Sequence, residues 1–203
     1  TRCVMASSFT PSGYQDTIDF VTIATIGNAS DFGDLSTARA GMSMSCNSTT
    51  RGIFNGGYQP APTTIRVNNM EYVTIATTGN TTDFGDLTDD SQNTSGGTAS
   101  SATRGLICLG YVHPALVNSI DFCTIATTGN AQDFGDLTAA RQSFGSCSNL
   151  TRGTFFGGQT PSYVNNIDMV TIATTGDATD FGDVNVGVSA SGAAGSDSHG
   201  GLT

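Results

Sequence analysis

Thr74–Leu87 reads TIATTGNTTDFGDL, and nearly the same fourteen residues begin again at Thr124 (TIATTGNAQDFGDL), Thr171 (TIATTGDATDFGDV) and Thr22 (TIATIGNASDFGDL). From Thr22 onward the copies start 52, 50 and 47 residues apart. A second phrase keeps the same step: TRCVMASS at Thr1, TRGIFNGG at Thr50, TRGLICLG at Thr103 and TRGTFFGG at Thr151. A period near fifty, filled with short Ile, Val, Phe and Tyr runs, predicts stacked four-stranded units rather than a helical solenoid. In one period the strands are expected at Gly41–Asn47, Arg51–Gly57, Asn68–Ile75 and Thr81–Leu87. TTGN, between the third and fourth, is expected to be a tight hairpin turn with Gly79 and Asn80 at positive φ, and Asp177 serving in the last copy.

Composition narrows the function classes. Seventeen acidic and seven basic side chains leave a net charge of -10; the acids are almost all Asp, and lysine is absent. A surface without a basic stripe cannot displace phosphate counterions, which argues against nucleic acid and against anionic membranes as partners. No stretch is long and apolar enough to insert into a membrane. The chain opens on Thr1 rather than Met and is expected to be a processed product or part of something longer. Cys46 and Cys147 share a repeat position and read as small buried residues, so neither a disulfide scaffold nor a zinc site is expected.

Small side chains in GMSMSC, FGSCSN and SASGAAG suit strands crowded at the axis of a radial stack. Phe32, Phe84, Phe134 and Phe181 offer one ring per unit to wedge between neighbouring sheets. At these residues the chain resembles the kelch repeat: glycine pairs Gly56-Gly57 and Gly157-Gly158 close the second strand. Phe20, Tyr72 and Phe122 supply the third-strand ring, with Met169 in the last copy. Ser7-Ser8 and Leu109-Gly110 depart from that pattern, and no tryptophan is present. The combination IDFVTIATTGN..DFGDLT.AR with CSN.TRG.F.GG resembles repeats in virion structural proteins of marine cyanobacterial phages, described as tail-fibre or appendage proteins.

That resemblance, with the period, implies one all-β domain over residues 1–203: a kelch-like β-propeller of four blades with four antiparallel strands each, in repeats 1–49, 50–102, 103–150 and 151–203. The first blade lacks an inner strand upstream, so Val188–Ala194 is expected to pair with Arg2–Ala6 and close the ring. A slice of a longer array, or halves pairing into a larger ring, fit the same ends. The implied function is a non-enzymatic phage virion or appendage protein at the particle surface. It would present loops for host attachment to a surface glycan, with other virion proteins or copies of itself as partners. The rival is a free-standing carbohydrate-binding or glycan-hydrolysing propeller.

Four groups of residues are candidate sites. Asp31/Asp34, Asp83/Asp86, Asp133/Asp136 and Asp180/Asp183 supply hard oxygens for calcium, yet no copy has the twelve-residue calcium loop. Solvated carboxylates stabilising turns are the preferred expectation there, with calcium as the competing one and no other cofactor. Arg2, Arg51, Arg104 and Arg152 open each second strand; pairing with a neighbouring carboxylate across blades and a solvent-exposed edge charge of little worth are the two expectations there. Arg39 and Arg141 match one another and are candidates for ligand contact. Tyr14, Tyr58, Tyr111 and Tyr163 fall in the connection between the second and third strands, where rings and hydroxyls suit glycan recognition. No catalytic residue is expected, because the inner strands carry Ser, Met, Ala and Gly instead of converging acids.

Overall fold

Runs such as RGIFN, RGLIC and RGTFF put large apolar side chains at consecutive positions, so both faces of a strand need cover. A computed structural model describes residues 2–6, 9–60, 64–91 and 97–188. Among them there is no helix, and every long strand belongs to one of four consecutive antiparallel sheets. The first sheet holds Arg2–Ala6, Thr17–Thr22 and Ser30–Asp34. The second holds Ser43–Asn47, Arg51–Asn55, Asn69–Thr74 and Thr82–Asp86. The third holds Thr98–Ser100, Arg104–Cys108, Ser119–Thr124 and Gln132–Asp136, and the fourth Gly145–Ser148, Arg152–Phe156, Asn166–Thr171 and Thr179–Asp183. Within each sheet the strands lie in chain order, as simple meanders. The first sheet has no strand before Arg2–Ala6 among the described residues; the expected partner, Val188–Ala194, lies outside them beyond Val188.

The core lies between the sheets. Three hydrophobic clusters each span two neighbours: Phe32 and Leu35 with Phe54 and Val73; Phe84 and Leu87 with Ile107 and Ile125; Phe134 and Leu137 with Phe155 and Ile172. Along one strand the cover alternates. Phe54 faces back into the first cluster, while Ile53 faces forward into the second. Apolar side chains on both faces are therefore buried by different neighbours, as expected of a one-dimensional stack. The first strand of one sheet comes close to the second strand of the next: a Cβ at Gly105 would fall 2.4 Å from the Cys46 Cβ, and one at Gly153 would fall 2.7 Å from the Ala99 Cβ. Ser146 Oγ donates to the Thr98 carbonyl at 2.9 Å and Ser148 Oγ to Ser100 at 3.1 Å, so backbone and small side chains tie the first strands of the third and fourth sheets directly.

TTGN corrects one expectation. The connection is not a tight hairpin turn made by TTGN but the seven-residue segment 75–81, opened by Thr77 N donating to the Thr74 carbonyl. Gly79 has positive φ, but Asn80 does not; Ser143 is the one described non-glycine residue that does. The neighbouring sheet supplies the physical reason, because the side chain of Asn80 has a task there.

Candidate functional site

DFGD is a β-bulge. Opposite it the register steps from Met70↔Gly85 to Glu71↔Asp83, leaving Phe84 unpaired in the ladder. The same step occurs at Ile18/Asp19, Ile120/Asp121 and Ile167/Asp168, so each copy bulges at its phenylalanine. A bulge re-aims a side chain. Phe32, Phe84 and Phe134 are buried between sheets, each edge-on to the third-strand ring Phe20, Tyr72 or Phe122.

TTGN of each following sheet sits on this bulge. Gly79 N donates to the Phe32 carbonyl at 2.7 Å, Thr81 N to Asp34 at 2.9 Å, and Asn80 Oδ1 accepts from Asp34 N at 3.1 Å. Gly129, Asn130 and Ala131 repeat these bonds on Phe84 and Asp86, as do Gly176, Asp177 and Ala178 on Phe134 and Asp136. Asp177 replaces asparagine because only an acceptor oxygen is needed. Gly85 has φ 139°, and a Cβ there would fall 2.5 Å from the Gly129 carbonyl oxygen. The repeated fourteen residues are therefore two halves of a fastening: the turn grips the preceding sheet, and the bulge receives the following one.

The recurring arginines also fasten sheets, though not as expected. Arg2, Arg51 and Arg104 place their guanidinium carbons 4.5, 4.5 and 4.4 Å over Phe20, Tyr72 and Phe122. Each then donates to a backbone carbonyl of the next sheet: Ala76 at 2.9 Å, Ile125 at 3.1 Å and Ile172 at 3.0 Å. Carboxylates are not their partners. A ring face and a carbonyl together satisfy a planar cation without requiring a buried acid.

The buried acids serve a different arginine position. Glu71 is held by Arg39 at 3.3 Å and Asp168 by Arg141 at 3.1 Å, with both arginines fully buried. Arg39 Nη1 also donates to Asn69 Oδ1, and Arg141 Nη2 to the Phe155 carbonyl at 3.2 Å. The two arginines named as candidates for ligand contact thus lie buried in ion pairs. Ser36, Thr88 and Thr138 each donate backbone N–H and hydroxyl to the acid of the following sheet: Glu71, Asp121 and Asp168. Ser91 stands at the arginine position of that repeat, and among the described residues Asp121 is held by Thr88 with no cation paired to it. Burial pushes the Asp121 carboxyl up, against the two Thr88 bonds. Burial also acts upward on Glu71, but Arg39 with the Ser36 and Thr81 bonds carries it below the usual carboxylate range. This once-per-sheet acid is not among the residues singled out from the sequence. Aligning Asp19, Glu71, Asp121 and Asp168 would have exposed it.

The aspartates of the bulges stay near solvent. Asp31, Asp83, Asp133, Asp180 and Asp183 are exposed, while Asp34, Asp86 and Asp136 are half-buried beneath the fastening. Burial, then Asp177 and Asp133, pushes the Asp136 carboxyl up. Among the described residues no three His, Cys, Asp or Glu side chains are grouped to hold a metal ion.

Three of the four tyrosines come together through neighbouring hairpins. Small hairpins Phe9–Thr10/Gly13–Tyr14, Tyr58–Pro60/Thr64–Arg66 and Tyr111–Val112/Ala115–Leu116 leave successive sheets along one edge. Tyr14 meets Phe9 at 5.4 Å and Tyr58 at 5.6 Å between ring centroids. Arg66 lies 5.3 Å over Tyr111, whose hydroxyl is 3.3 Å from His113 Nδ1. Tyr163, bridged to Gln159 in the connection between Arg152–Phe156 and Asn166–Thr171, is exposed. Tyr14, Tyr58, Arg66 and Tyr111 thus form one edge of half-exposed rings, a guanidinium and hydroxyls, while among the described residues no ring contact joins Tyr163 to it. Compared with known family models and with curated proteins, the chain finds no match.

Proposed function

We propose that the chain is a propeller-type structural module of a phage virion, a non-enzymatic appendage or tail-fibre component that presents its tyrosine edge to host-surface glycan. The observation that carries the binding half is the contact between hairpins of successive sheets, Tyr14 against Tyr58 and Arg66 over Tyr111. Rigid sheets position such loops, and flat rings flanked by hydroxyls and a guanidinium match the apolar faces and hydroxyls of a sugar. The propeller half is supported by four meander sheets stacked face to face, with the first strand of one sheet packed on Gly105 or Gly153 in the second strand of the next. The virion half is supported by the wording of the repeat.

A glycan array probed with the purified chain tests the first part. Tyr163→Ala should weaken the strongest signal about tenfold while leaving thermal stability within about 0.5 kcal/mol, because that ring is exposed. An array without signal, or binding indifferent to Tyr163, Tyr111 and Tyr58 alike, contradicts the glycan reading. Electron microscopy of labelled particles tests the second part. Label on tail, fibre or capsid is the expected result; particles without it would favour the free-standing binding module.

A further inference from the structure

We propose that the outer edge of the fourth sheet docks the first sheet of a second copy of this chain, head to tail, through the same seam that joins the sheets internally. Both halves of that seam stand open at the two ends. Phe181 is 57 % exposed where Phe32, Phe84 and Phe134 are each 2 % exposed. A Cβ at Gly182 would meet nothing within 4 Å, whereas at Gly33, Gly85 and Gly135 it would fall 2.4, 2.5 and 2.6 Å from the next sheet's glycine carbonyl group. On the first sheet the gripping half is equally bare: Ile23 is 64 % exposed against 1 % for Ile125 and Ile172, and Ile26, where other copies have Thr, is fully exposed. Among the described residues, nothing seats on either half.

Three internal seams specify what fits. Asn28 Oδ1 would accept from Asp183 N as Asn80 does from Asp34, and Arg152 would donate to the Ile23 carbonyl as Arg51 does to Ile125. Both end surfaces belong to one chain, so each copy carries what the next one needs. A heterologous contact of this kind yields rings or filaments.

The cysteines carry an independent mark of the same contact. Gly105 and Gly153 face Cys46 and Ala99 of the preceding first strand. In the missing fourth seam, Cys3 occupies the glycine position and Cys147 the position of Cys46 and Ala99. Cys3 is exposed and Cys147 half-buried, both as free thiols. Docking would oppose them. A seam about 1 Å wider than the internal ones brings their Cβ atoms into the ~3.5–4.5 Å range of a disulfide. The proposal deepens the partner half of the functional reading on seam geometry alone. Its failure would leave glycan binding by a single copy untouched.

Oxidation of the native chain with diamide tests it, in enough salt to screen the net charge of -10. The diamide removes two electrons and two protons from a thiol pair as the S–S bond forms. Dimers and larger species are expected on a non-reducing denaturing gel, with the Cys3–Cys147 peptide pair identified by mass. Cys3→Ser or Cys147→Ser alone should abolish them, while an equal mixture of the two variants should give dimer and nothing larger. Ile23→Asp should suppress cross-linking without lowering the melting temperature. A monomer lighter by two hydrogens with Cys3 joined to Cys147 would instead mean that the ring closes within one chain. That result, no cross-link at all, or dimers that survive Cys147→Ser would overturn the proposal.

Discussion

Asp121 and Glu71 hold the same position in successive sheets, yet their surroundings drive their carboxyls in opposite directions. The raised Asp121 value means that the unfolded chain ionises first. Its contribution to stability is therefore full below the ordinary Asp value near ~4 and declines as pH rises through the folded value. The lowered Glu71 value has the reverse sign: stability is present above the ordinary Glu value and lost as pH falls through the folded one. Asp121→Asn should accordingly gain stability relative to the native chain as pH rises from about 4. Glu71→Gln should cost about 3 kcal/mol at neutral pH, because Arg39 is left buried without its anion. Melting temperatures of both variants across the acidic range check the signs; parallel curves for Asp121→Asn and the native chain would contradict them. Whether a recurring acid is buried was not legible from its own strand. Met70, Glu71, Tyr72 and Val73 alternate in type, but the sheet is covered on both faces, so Met70, Glu71 and Val73 are all buried.

At the scale of elements, strand positions were legible because β-branched and aromatic runs are bounded by Gly and Asn, which mark connections. Ser43–Asn47, Arg51–Asn55, Asn69–Thr74 and Thr82–Asp86 fall within the ranges expected from sequence. The role of the DFGD and TTGN residues was not legible, since turn propensity reports the local chain whereas Asn80 and Gly85 answer to neighbouring sheets. Asn130→Ala should cost about 1 kcal/mol, the usual net worth of one hydrogen bond. Asn130→Asp should cost less, because Asp177 already makes this bond in the last seam. Equal losses in chemical denaturation would show that the Oδ1 acceptor is not what matters. We propose that the carboxylates at the bulge stabilise the turns beside the fastening rather than ligate calcium. The melting temperature should thus ignore chelator, and calcium should do no more than magnesium. A calcium-specific rise that Asp133→Asn removes would restore the ion-binding reading.

Across the described residues as a whole, stability is distributed over three seams between four sheets rather than in one central core. The second and third sheets are clasped on both faces, while each end sheet is clasped on one, so amide exchange should be slowest in Arg51–Asn55 and Arg104–Cys108 and faster toward both ends. The period announced this stack, but it could not announce where the stack closes, because every internal copy is written alike. Gly85 and Gly182 make that likeness useful. Both have φ 139° in the same DFGD, and only Gly85 lies beneath a seated turn. Alanine imposes similar backbone strain at either position, about 1–3 kcal/mol. At Gly85 it must also displace the Gly129 backbone, adding about 1–3 kcal/mol. The decisive measurement is the unfolding free energy of Gly85→Ala against Gly182→Ala, taken at dilutions where the chain is a monomer. The Gly85 variant should be less stable by that further amount; equal losses would mean that the repeated phrase does not fasten one sheet to the next.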